Sequence, residues 1–482
     1  MSLYLSFLKH RARQIHINSL MNLLTVEFVR FSLKRGNQAT KRKRLLERSV
    51  KVVKRTVRSS DWYRIFLEDN GCRCNRLTCD NFHVRVPYLI KEQVFINNQL
   101  GNMFRSPGTM RLIMFSSGQT GKFSVGAVTR REYKRLAART DLFLNLFFGI
   151  KKGEALVINA SAMGVRAFTC QTCCDTGPRS DIVVTALKEA SPLYAKTVVI
   201  ADPYLVKQIA EEAANKGVDL KNRKIWFISG GEWLPETLRG YVHHLTGKSA
   251  SAPENGFWAA IFGVTELGYP LFCETAQLAA QRGVLAQNRK SLSDTVKYKL
   301  GICTTPFLFH VLDQSVYVEQ ADDESGIPEL VFTCTNSRRV IPMIRYKTGD
   351  AGELMEEYKQ GIPDYPLPVV AFWGRKNNWL DTGTEKIVIN DIRELLFADF
   401  ELAFKVTGYF ILYADPPGAR LFVQLKKGEP PSETIFSRFS EHLSACYPSL
   451  KEISFKHYHW FHQQMELDFE RKFNHLTEKQ HG

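Results

Sequence analysis

The chain has 482 residues, of which 44% are hydrophobic and 24% charged, a balance typical of a globular protein with a large core. The longest apolar run, Leu142–Ile150, is too short to span a bilayer, and the N-terminus lacks the pattern of a signal peptide. The ten cysteines are irregularly spaced, which favours reduced thiols over a disulfide framework. We therefore expect a cytoplasmic protein without a transmembrane segment.

The net charge of +16 is concentrated at the N-terminus. Residues 1–60 contain 15 Lys or Arg and two Asp or Glu, so they hold +13 of the total. We therefore expect no nucleic-acid-binding face on the rest of the chain. Apolar residues accompany the basic run Lys41–Arg44, which favours an amphipathic helical arm. Two interpretations stay open for it: a cover packed on the main domain, or a docking surface for an acidic partner or anionic membrane.

The elements after the arm alternate between strands and helices. Arg111–Phe115 is an apolar β-type run that ends in a polar loop. Thr129 and Glu132 form a capping box that opens a helix. Asp202, followed by proline, opens another helix, and Gly217 closes it.

The same alternation continues through the middle of the chain. Lys224–Ser229 predicts a strand that stops at a glycine pair, and Leu234–Leu245 has the apolar spacing of a helix. Strands that alternate with helices predict the α/β fold class.

The last hundred residues predict a separate α+β unit. Tyr409–Tyr413 and Arg420–Leu425 are β runs joined by a Pro-Gly turn, and Ser432–Cys446 has one apolar helical face. Ile453–Trp460 predicts a further strand. The expected parts are a basic arm over 1–60, a large domain over 61–376 and a small domain over 377–482.

A loop that suits phosphate, Ser116–Lys122 (SSGQTGK), directly follows the first β run. Its glycines allow close approach of the backbone to a phosphate, its hydroxyls can donate to it, and its lysine neutralises charge. It is not a Walker A loop, because Ser116 stands where that motif needs glycine and Phe123 where it needs Ser or Thr. Taken alone, the loop is equally compatible with an ordinary turn.

Three further segments accompany this loop, namely Phe262–Glu266 (FGVTE), Tyr346–Asp350 (YKTGD) and Gly374–Asn377 (GRKN). In this order and spacing, the four segments resemble the core motifs of the adenylate-forming superfamily, which includes acyl-CoA synthetases, luciferases and peptide-synthetase adenylation domains. Within it, the chain is most similar to phenylacetate–CoA ligase-like proteins. That closer resemblance rests on Tyr63, Gly71, Phe82, Pro87, Lys91 and Gly230–Glu232.

The resemblance begins near Trp62 and implies the adenylate-forming fold: a large N-terminal α/β domain and a small mobile C-terminal domain, with the active site between them. It implies a ligase that adenylates a small carboxylic acid, aryl or fatty, with ATP and Mg²⁺ and then transfers the acyl group to CoA. A carrier protein, a protein thiol or an amine are alternative acceptors. A non-catalytic relative that binds a nucleotide or a partner is a further alternative.

The resemblance also assigns roles to individual residues. Thr265 is expected to contact the α-phosphate, Glu266 to ligate Mg²⁺, and Asp350 to bind the ribose hydroxyls. Phe262 is expected near the adenine, and Arg375 is expected to reach the ribose or a phosphate. The rest of the expected ATP- or AMP-binding set is Ser116, Ser117, Gly118, Thr120, Gly121, Lys122, Gly231, Glu232 and Gly263.

A lysine near the C-terminus bridges the carboxylate and the α-phosphate in this superfamily. Lys472 is in the matching region, although Arg471 replaces the usual preceding glycine, and Lys479 is the next candidate. The expected catalytic set is therefore Lys472, Thr265, Glu266 and Lys122. Asn377 and Thr384 depart from the hinge residue and the glycine of relatives, and both positions concern acyl transfer rather than adenylation.

The cysteines are also possible metal ligands. Cys170 and Cys173 have one Cys-x-x-Cys spacing, but neither local group has the two such pairs of a zinc ribbon, so free thiols are expected. The groups are Cys72, Cys74, Cys79 and Cys170, Cys173, Cys174.

Overall fold

The computed structural model describes residues 38–96, 107–115, 124–162, 165–288, 304–312, 315–322, 326–336, 339–355, 367–430, 432–464 and 475–477. Three predicted features lie outside these stretches. They are the loop Ser116–Lys122, the candidate lysines Lys472 and Lys479, and residues 1–37 of the arm.

Two β-structures form the large part of the molecule. The first is an antiparallel hairpin of β1 (Met110–Phe115) and β2 (Val125–Thr129). The second is a mixed sheet of eleven strands. Its strands are β3 (Ala155–Asn159), β4 (Thr172–Asp175), β5 (Lys196–Ile200), β6 (Ile225–Gly230), β7 (Trp258–Val264), β8 (Gly268–Cys273), β9 (Phe307–Val311), β10 (Val316–Ala321), β11 (Glu329–Cys334), β12 (Tyr346–Met355) and β13 (Val369–Arg375).

The order across the large sheet is β10-β11-β12-β13-β9-β8-β7-β6-β5-β3-β4. The end from β7 to β4 is parallel, and the remaining pairs are antiparallel. Every residue of β3 is buried, and so are five of the six residues of β6. Such unbroken apolar strands are typical of parallel sheets that are covered on both faces.

Helices connect and cover these strands. The α-helices are α1 (Gln38–Val57), α2 (Asp61–Asp69), α3 (Phe82–Arg85), α4 (Arg130–Phe148), α5 (Ser180–Glu189), α6 (Pro203–Asn215), α7 (Glu236–Thr246), α8 (Ala276–Gln287), α9 (Ile389–Leu396), α10 (Phe400–Lys405), α11 (Glu433–Cys446) and α12 (Tyr458–Gln464). Short 3₁₀ or π turns span Cys74–Arg76, Glu92–Ile96, Pro107–Thr109, Ser191–Leu193 and Pro253–Asn255.

The local signals for helix ends are confirmed. Thr129 and Glu132 form the predicted capping box at the start of α4. The Asp202 carboxylate accepts from two backbone N–H groups at the start of α6, and Gly217 follows its end with φ of 64°. The helix predicted from Leu234 begins at Glu236 because Pro235 has extended backbone and occupies the N-cap.

The chain from Asn377 onward, called here the C-terminal segment, has its own sheets. After a small hairpin of β14 (Trp379–Asp381) and β15 (Lys386–Val388), the strands β16 (Val406–Ala414), β17 (Ala419–Leu425), β18 (Leu450–Lys456) and β19 (Leu476–Thr477) form a four-stranded sheet. Its order is β18-β17-β16-β19, and within the described stretches none of its strands pairs with the eleven-stranded sheet.

The end predicted for the strand Ile453–Trp460 is wrong. The strand stops at Lys456, and the chain turns into α12, which places the Trp460 ring 5.3 Å from the Phe422 ring of β17. Phe461 of the same helix is fully buried. The aromatic residues that looked like a strand therefore cover the sheet as a helix.

The described part of the basic arm is α1, whose apolar face is packed on the large part of the molecule. Val50, Val52 and Val53 are buried, and Arg42 lies over the Tyr317 ring at 5.5 Å. The opposite face is exposed and basic, with charges at Arg44, Arg48, Lys51, Arg55 and Arg58. This geometry favours the cover interpretation. No helix in the described stretches is long and apolar enough to cross a membrane.

Candidate active site

A cavity of about 1200 Å³ lies between the edge of the large sheet and the C-terminal segment. It is lined by residues at the ends of β6, β7 and β13 and at the start of β12. All eight predicted site residues within the described stretches line it: Gly231, Glu232, Phe262, Gly263, Thr265, Glu266, Asp350 and Arg375. The structure thus brings together segments that are far apart in sequence.

The end of β7 presents Glu266 to this cavity. Its side chain is only 5% exposed, and Oε1 accepts a hydrogen bond of 2.9 Å from the Tyr346 hydroxyl. Arg339 donates to the Glu266 carbonyl oxygen at 2.7 Å and to the Leu267 carbonyl oxygen at 2.6 Å. Burial, reinforced by Glu266, raises the pKa of Tyr346 well above its ordinary value. The hydroxyl therefore stays protonated and acts as a donor.

Thr265 is fixed by the hairpin that precedes the main sheet. Gly126 of β2 lies so close to it that a Cβ on Gly126 would be 2.1 Å from the Thr265 carbonyl oxygen. Only glycine permits this approach of two backbones. The hairpin connection contains the predicted loop Ser116–Lys122, and its flanking residues Phe115 and Ser124 both line the cavity.

Asp350 and Arg375 face each other on neighbouring strands. They are register partners in β12 and β13, and Arg375 Nε lies 3.4 Å from Asp350 Oδ1. Asp350 raises the pKa of the Arg375 guanidinium further, so this charge is permanent. The turn before Asp350 uses Gly349 at φ of 77°, and Glu329 Oε1 accepts from the Gly349 N–H at 3.0 Å.

The turn after β6 places another carboxylate in the cavity. Gly231 has φ of 88°, a conformation that favours glycine, and turns the chain toward Glu232. Glu232 Oε2 lies 3.3 Å from Arg393 Nη2 of α9. Burial, reinforced by Glu232, raises the pKa of nearby Asp202 to about 6.

Phe262 is part of a cluster of aromatic rings at the cavity floor. Its ring centroid is 4.8 Å from that of Phe372 and 5.1 Å from that of Phe272. Phe262 also lines the cavity, although it is only 9% exposed. Phe257 and Trp258, by contrast, are buried in the core and do not line it.

One side of the cavity is apolar. Val157, Val198, Ile228 and Ile261 lie on one face of the parallel strands, and Leu144 and Phe148 of α4 pack against that face. All six residues line the cavity. This region suits an apolar group.

The C-terminal segment closes the opposite side of the cavity. Arg393, Tyr409, Lys426 and His475 line it there. His475 Nδ1 lies 2.9 Å from the Phe410 carbonyl oxygen, and burial, reinforced by Arg393, lowers the pKa of His475 well below its ordinary value. The ring is therefore neutral at pH 7.

Sequence reasoning missed several residues of the site, among them Tyr346, Glu329, Arg339 and Arg393. Tyr346 has a signal in the sequence, since it is the first residue of the YKTGD segment that contains the expected ribose ligand Asp350. The other three residues have no such signal, because their partners are distant in sequence. Arg339 and Glu266 are 73 residues apart, and Arg393 and Glu232 are 161 apart.

The cysteines are free thiols where the structure describes them. Burial raises the pKa of Cys74 and, reinforced by Asp175, that of Cys173 to about 11. In the described stretches, no group of three or more His, Cys, Asp or Glu side chains could hold a metal ion by itself.

Comparison with known proteins identifies the architecture. No family model matches the chain, and no curated protein matches it. Among solved structures, 2-hydroxyisobutyryl-CoA ligase in the postadenylation state, in complex with R3-HIB-AMP, is 14% identical over 92% of this chain and 90% of that one, with a TM-score of 0.68. This chain has the fold of the adenylate-forming enzymes.

The same ligase has been solved in two other states. In the thioesterification state with 2-HIB-AMP and CoA, it has a TM-score of 0.56 over 92% of this chain and 90% of that one, at 14% identity. An open conformation with the same ligands gives 0.55 over 91% of both chains, also at 14% identity. The TM-score is therefore higher with the postadenylation state than with the other two states.

Proposed function

We propose that this protein activates a carboxylic acid with ATP, forming an acyl-adenylate and pyrophosphate, and then transfers the acyl group to a thiol. One observation carries the proposal. Four segments with expected nucleotide-binding residues line a single cavity in a chain with the adenylate-forming fold. Within the described stretches they are Gly231–Glu232, Phe262–Glu266, Asp350 and Arg375. Chance would not gather these segments at one edge of a sheet.

The first step joins two anions, because an oxygen of the carboxylate attacks the α-phosphate as pyrophosphate leaves. Positioning and charge neutralisation are the main requirements of such a step. We assign the ribose to Asp350 and Arg375, the α-phosphate to Thr265, and the adenine to the face of Phe262. The loop Ser116–Lys122 lies in sequence between the cavity-lining residues Phe115 and Ser124. We therefore assign it to the leaving pyrophosphate.

Glu266 is the residue we assign to Mg²⁺. Mg²⁺ in nucleotide sites is usually held by one or two carboxylates together with phosphate oxygens and water, so a single buried carboxylate in the cavity suits it. When bound, the ion neutralises phosphate charge. Glu266 itself contributes a negative oxygen at a fixed place beside Thr265.

Lys472 remains our candidate for the lysine that bridges carboxylate and α-phosphate. It precedes the cavity-lining His475 by three residues in sequence, which supports the assignment.

We place the domain boundary at Asn377, with a large domain over 61–376 and a small domain over 377–482. The separate sheet of the C-terminal segment supports this boundary. We further propose that the small domain changes position between the two half-reactions. The higher TM-score with the postadenylation state than with the other two states of the same ligase supports an adenylation-like arrangement in this structure.

For the second step, we propose CoA as the acceptor and an aryl or fatty acid as the substrate, as in phenylacetate–CoA ligase-like proteins. The apolar side of the cavity supports an acid with an apolar tail. We also propose that the reaction takes place in the cytoplasm, where ATP and CoA are available. A carrier protein, a protein thiol or an amine would use the same adenylate, and acceptor trials separate these possibilities.

The test is acid-dependent exchange of labelled pyrophosphate into ATP over a panel of aryl, fatty, hydroxy and amino acids. The proposal expects exchange with apolar acids, followed by consumption of the adenylate when CoA is added. If none of the acids supports exchange while the protein still binds nucleotide, that result favours a non-catalytic relative. Exchange without transfer to CoA moves the acceptor to a carrier protein, a protein thiol or an amine.

A further inference from the structure

The Tyr346 hydroxyl and the Glu266 carboxylate form a buried contact in the cavity. The distance from the hydroxyl to Glu266 Oε1 is 2.9 Å, and the two side chains are 2% and 5% exposed. They come from the start of β12 and the end of β7, which are 80 residues apart in sequence. The nucleotide roles assigned above leave this contact unused.

The two oxygens of this carboxylate have different surroundings. Oε1 is held by Tyr346, whereas Oε2 accepts no hydrogen bond from any described residue and belongs to a side chain that lines the cavity. The backbone at Glu266 is held separately by Arg339. Because the terminal torsion of a glutamate is broad and two-fold, the hydrogen bond from Tyr346 is the described hydrogen bond that distinguishes the two carboxylate oxygens.

Tyr346 is itself held by an unusual residue. Arg345 has a φ of 49°, the one positive φ found at a described non-glycine residue, and is 4% exposed. Its guanidinium pairs with Glu319 at 3.1 Å and donates to the carbonyl oxygens of His83 and Val86. A strained backbone persists only when its surroundings over-determine it.

The strand start is secured on its other side as well. The Leu89 N–H donates to the Arg345 carbonyl oxygen at 3.0 Å, and Leu89 forms a β-bridge with Tyr346. The Tyr88 ring covers the Arg345 guanidinium at 4.1 Å. These contacts leave the Tyr346 ring little freedom, so its hydroxyl is a rigid donor.

We propose that Tyr346 is a positioning residue that holds Glu266 by Oε1 and thereby presents Oε2 alone to the divalent cation. This inference rests on the proposed function, because it takes Glu266 as the cation ligand. Arg345 secures Tyr346 and does not itself line the cavity. Tyr346 and Asp350 both belong to β12. Tyr346 therefore also links the proposed cation ligand Glu266 to Asp350.

The physical consequence concerns cation affinity. A carboxylate that is already oriented loses little freedom when it binds a cation, whereas one that can rotate pays that cost on binding. A monodentate oxygen also suits the octahedral geometry that Mg²⁺ requires. Removal of the hydroxyl should therefore weaken cation binding more than it slows the chemical step at saturating cation.

The test compares Tyr346→Phe with Tyr317→Phe. Both changes remove one phenol oxygen, and Tyr317 is a suitable control because its hydroxyl contacts His83 Nε2 at 3.0 Å outside the cavity. The first readout is the affinity for Mn²⁺ with a non-reacting ATP analogue, followed by electron paramagnetic resonance. The second is the Mg²⁺ concentration that gives half-maximal pyrophosphate exchange. Melting temperature is measured for each protein.

For Tyr346→Phe we expect both cation constants to rise about 10-fold or more, which corresponds to one hydrogen bond to a charged carboxylate. Exchange at saturating Mg²⁺ should stay within about 2-fold, as should binding of the analogue without metal. Tyr346→p-aminophenylalanine retains a donor and should restore cation affinity. Tyr317→Phe should match the wild type.

Unchanged Mn²⁺ affinity in Tyr346→Phe would overturn the inference. The inference would also be overturned if exchange fell equally at every Mg²⁺ concentration and the melting temperature fell as well. That pattern is expected for a purely structural contact. A failure of the proposed function looks different: the wild type would give no acid-dependent exchange. The Mn²⁺ measurement would then still decide whether Tyr346 positions Glu266.

Discussion

The two walls of the cavity are constructed in different ways. The sheet wall consists of Glu266, Tyr346, Asp350 and Arg375, which are fixed by strand pairing and by buried contacts between adjacent strands. The wall from the C-terminal segment, here called the C-terminal wall, consists of Arg393, Tyr409, Lys426 and His475. Within the described stretches, no strand pairing joins its sheet to the large sheet.

Side chains therefore make most of the connection between these walls. Arg393 lies 3.3 Å from Glu232, Lys426 lies 3.4 Å from Glu211, and Lys207 donates to the Val406 carbonyl oxygen at 2.8 Å. Burial lowers the pKa of Lys207 to about 8. Buried ion pairs contribute little net stability, because desolvation offsets their attraction. Ion pairs of this kind connect the two walls without the backbone pairing that fixes the sheet wall.

From this difference we propose that the sheet wall keeps one geometry and that the C-terminal wall changes position during the reaction. We assign binding of ribose, α-phosphate and cation to the sheet wall, where a fixed geometry favours the transition state. We assign the catalytic lysine and the acyl acceptor to the C-terminal wall, whose proposed change of position would let one cavity serve two reactions. Three changes test this division, and a fourth concerns the basic arm.

Loss of a charged group from the sheet wall should have the largest effect. Glu266→Gln removes the proposed cation ligand, and Asp350→Ala removes the proposed ribose contact together with the partner of Arg375. Each should reduce acid-dependent pyrophosphate exchange by about 10²-fold or more, as expected for an electrostatic contact to a transition state. Near-normal exchange by both folded variants would remove the sheet wall from the chemistry.

The second change separates the half-reactions. Lys472→Ala should reduce adenylation by about 10- to 10²-fold and leave transfer from supplied acyl-adenylate within about 3-fold, because the lysine belongs to the first reaction only. Changes at Asn377 or Thr384 should do the reverse. Rapid-quench assays of both steps provide the measurement. Normal exchange by Lys472→Ala would direct attention to Lys479.

The third change displaces the sheet wall without touching its charges. Gly126→Ala places a methyl group against the Thr265 carbonyl oxygen, where the space is 2.1 Å. Overpacking of this kind costs about 1–3 kcal/mol, so we expect a lower melting temperature and about 10-fold slower exchange. Gly240→Ala is a matched control, because a Cβ there meets no atom within 4 Å. Equal behaviour of the two variants would contradict the proposed contact.

The fourth change concerns the basic arm, which belongs to neither wall. Replacing Lys41, Arg42, Lys43 and Arg44 by serine should leave pyrophosphate exchange unchanged. It should lower the melting temperature by about 1–3 °C, because the contact of Arg42 with the Tyr317 ring is lost. Slower transfer to a carrier protein, with weaker salt dependence and an unchanged melting temperature, would instead favour the docking interpretation.

Local features of this molecule could be predicted from sequence, because their physical causes are local. The capping box at Thr129, the N-cap at Asp202 and the turn glycines depend on neighbours within a few residues. The fold class followed from the alternation of strands and helices. The location of the described motif residues in one cavity followed from the resemblance, since no periodicity in the sequence encodes it.

Contacts between distant segments could not be predicted. The hydrogen bond from Tyr346 to Glu266 depends on how β12 and β7 are placed in one sheet, and strand order is not visible in a strand's own pattern. The close approach of Gly126 to Thr265 has the same origin. At Trp460, tertiary packing against Phe422 prevailed over a β-like aromatic run.

The proposed adenylation forms one bond, between a carboxylate oxygen and the α-phosphate. The most direct measurement supplies the acid that gives the fastest exchange, with ¹⁸O in both carboxylate oxygens, and analyses the products of complete turnover by mass spectrometry. Adenylation predicts that each AMP released carries one ¹⁸O atom and that pyrophosphate carries none. Label in inorganic phosphate, or AMP release that does not depend on the acid, would contradict the account.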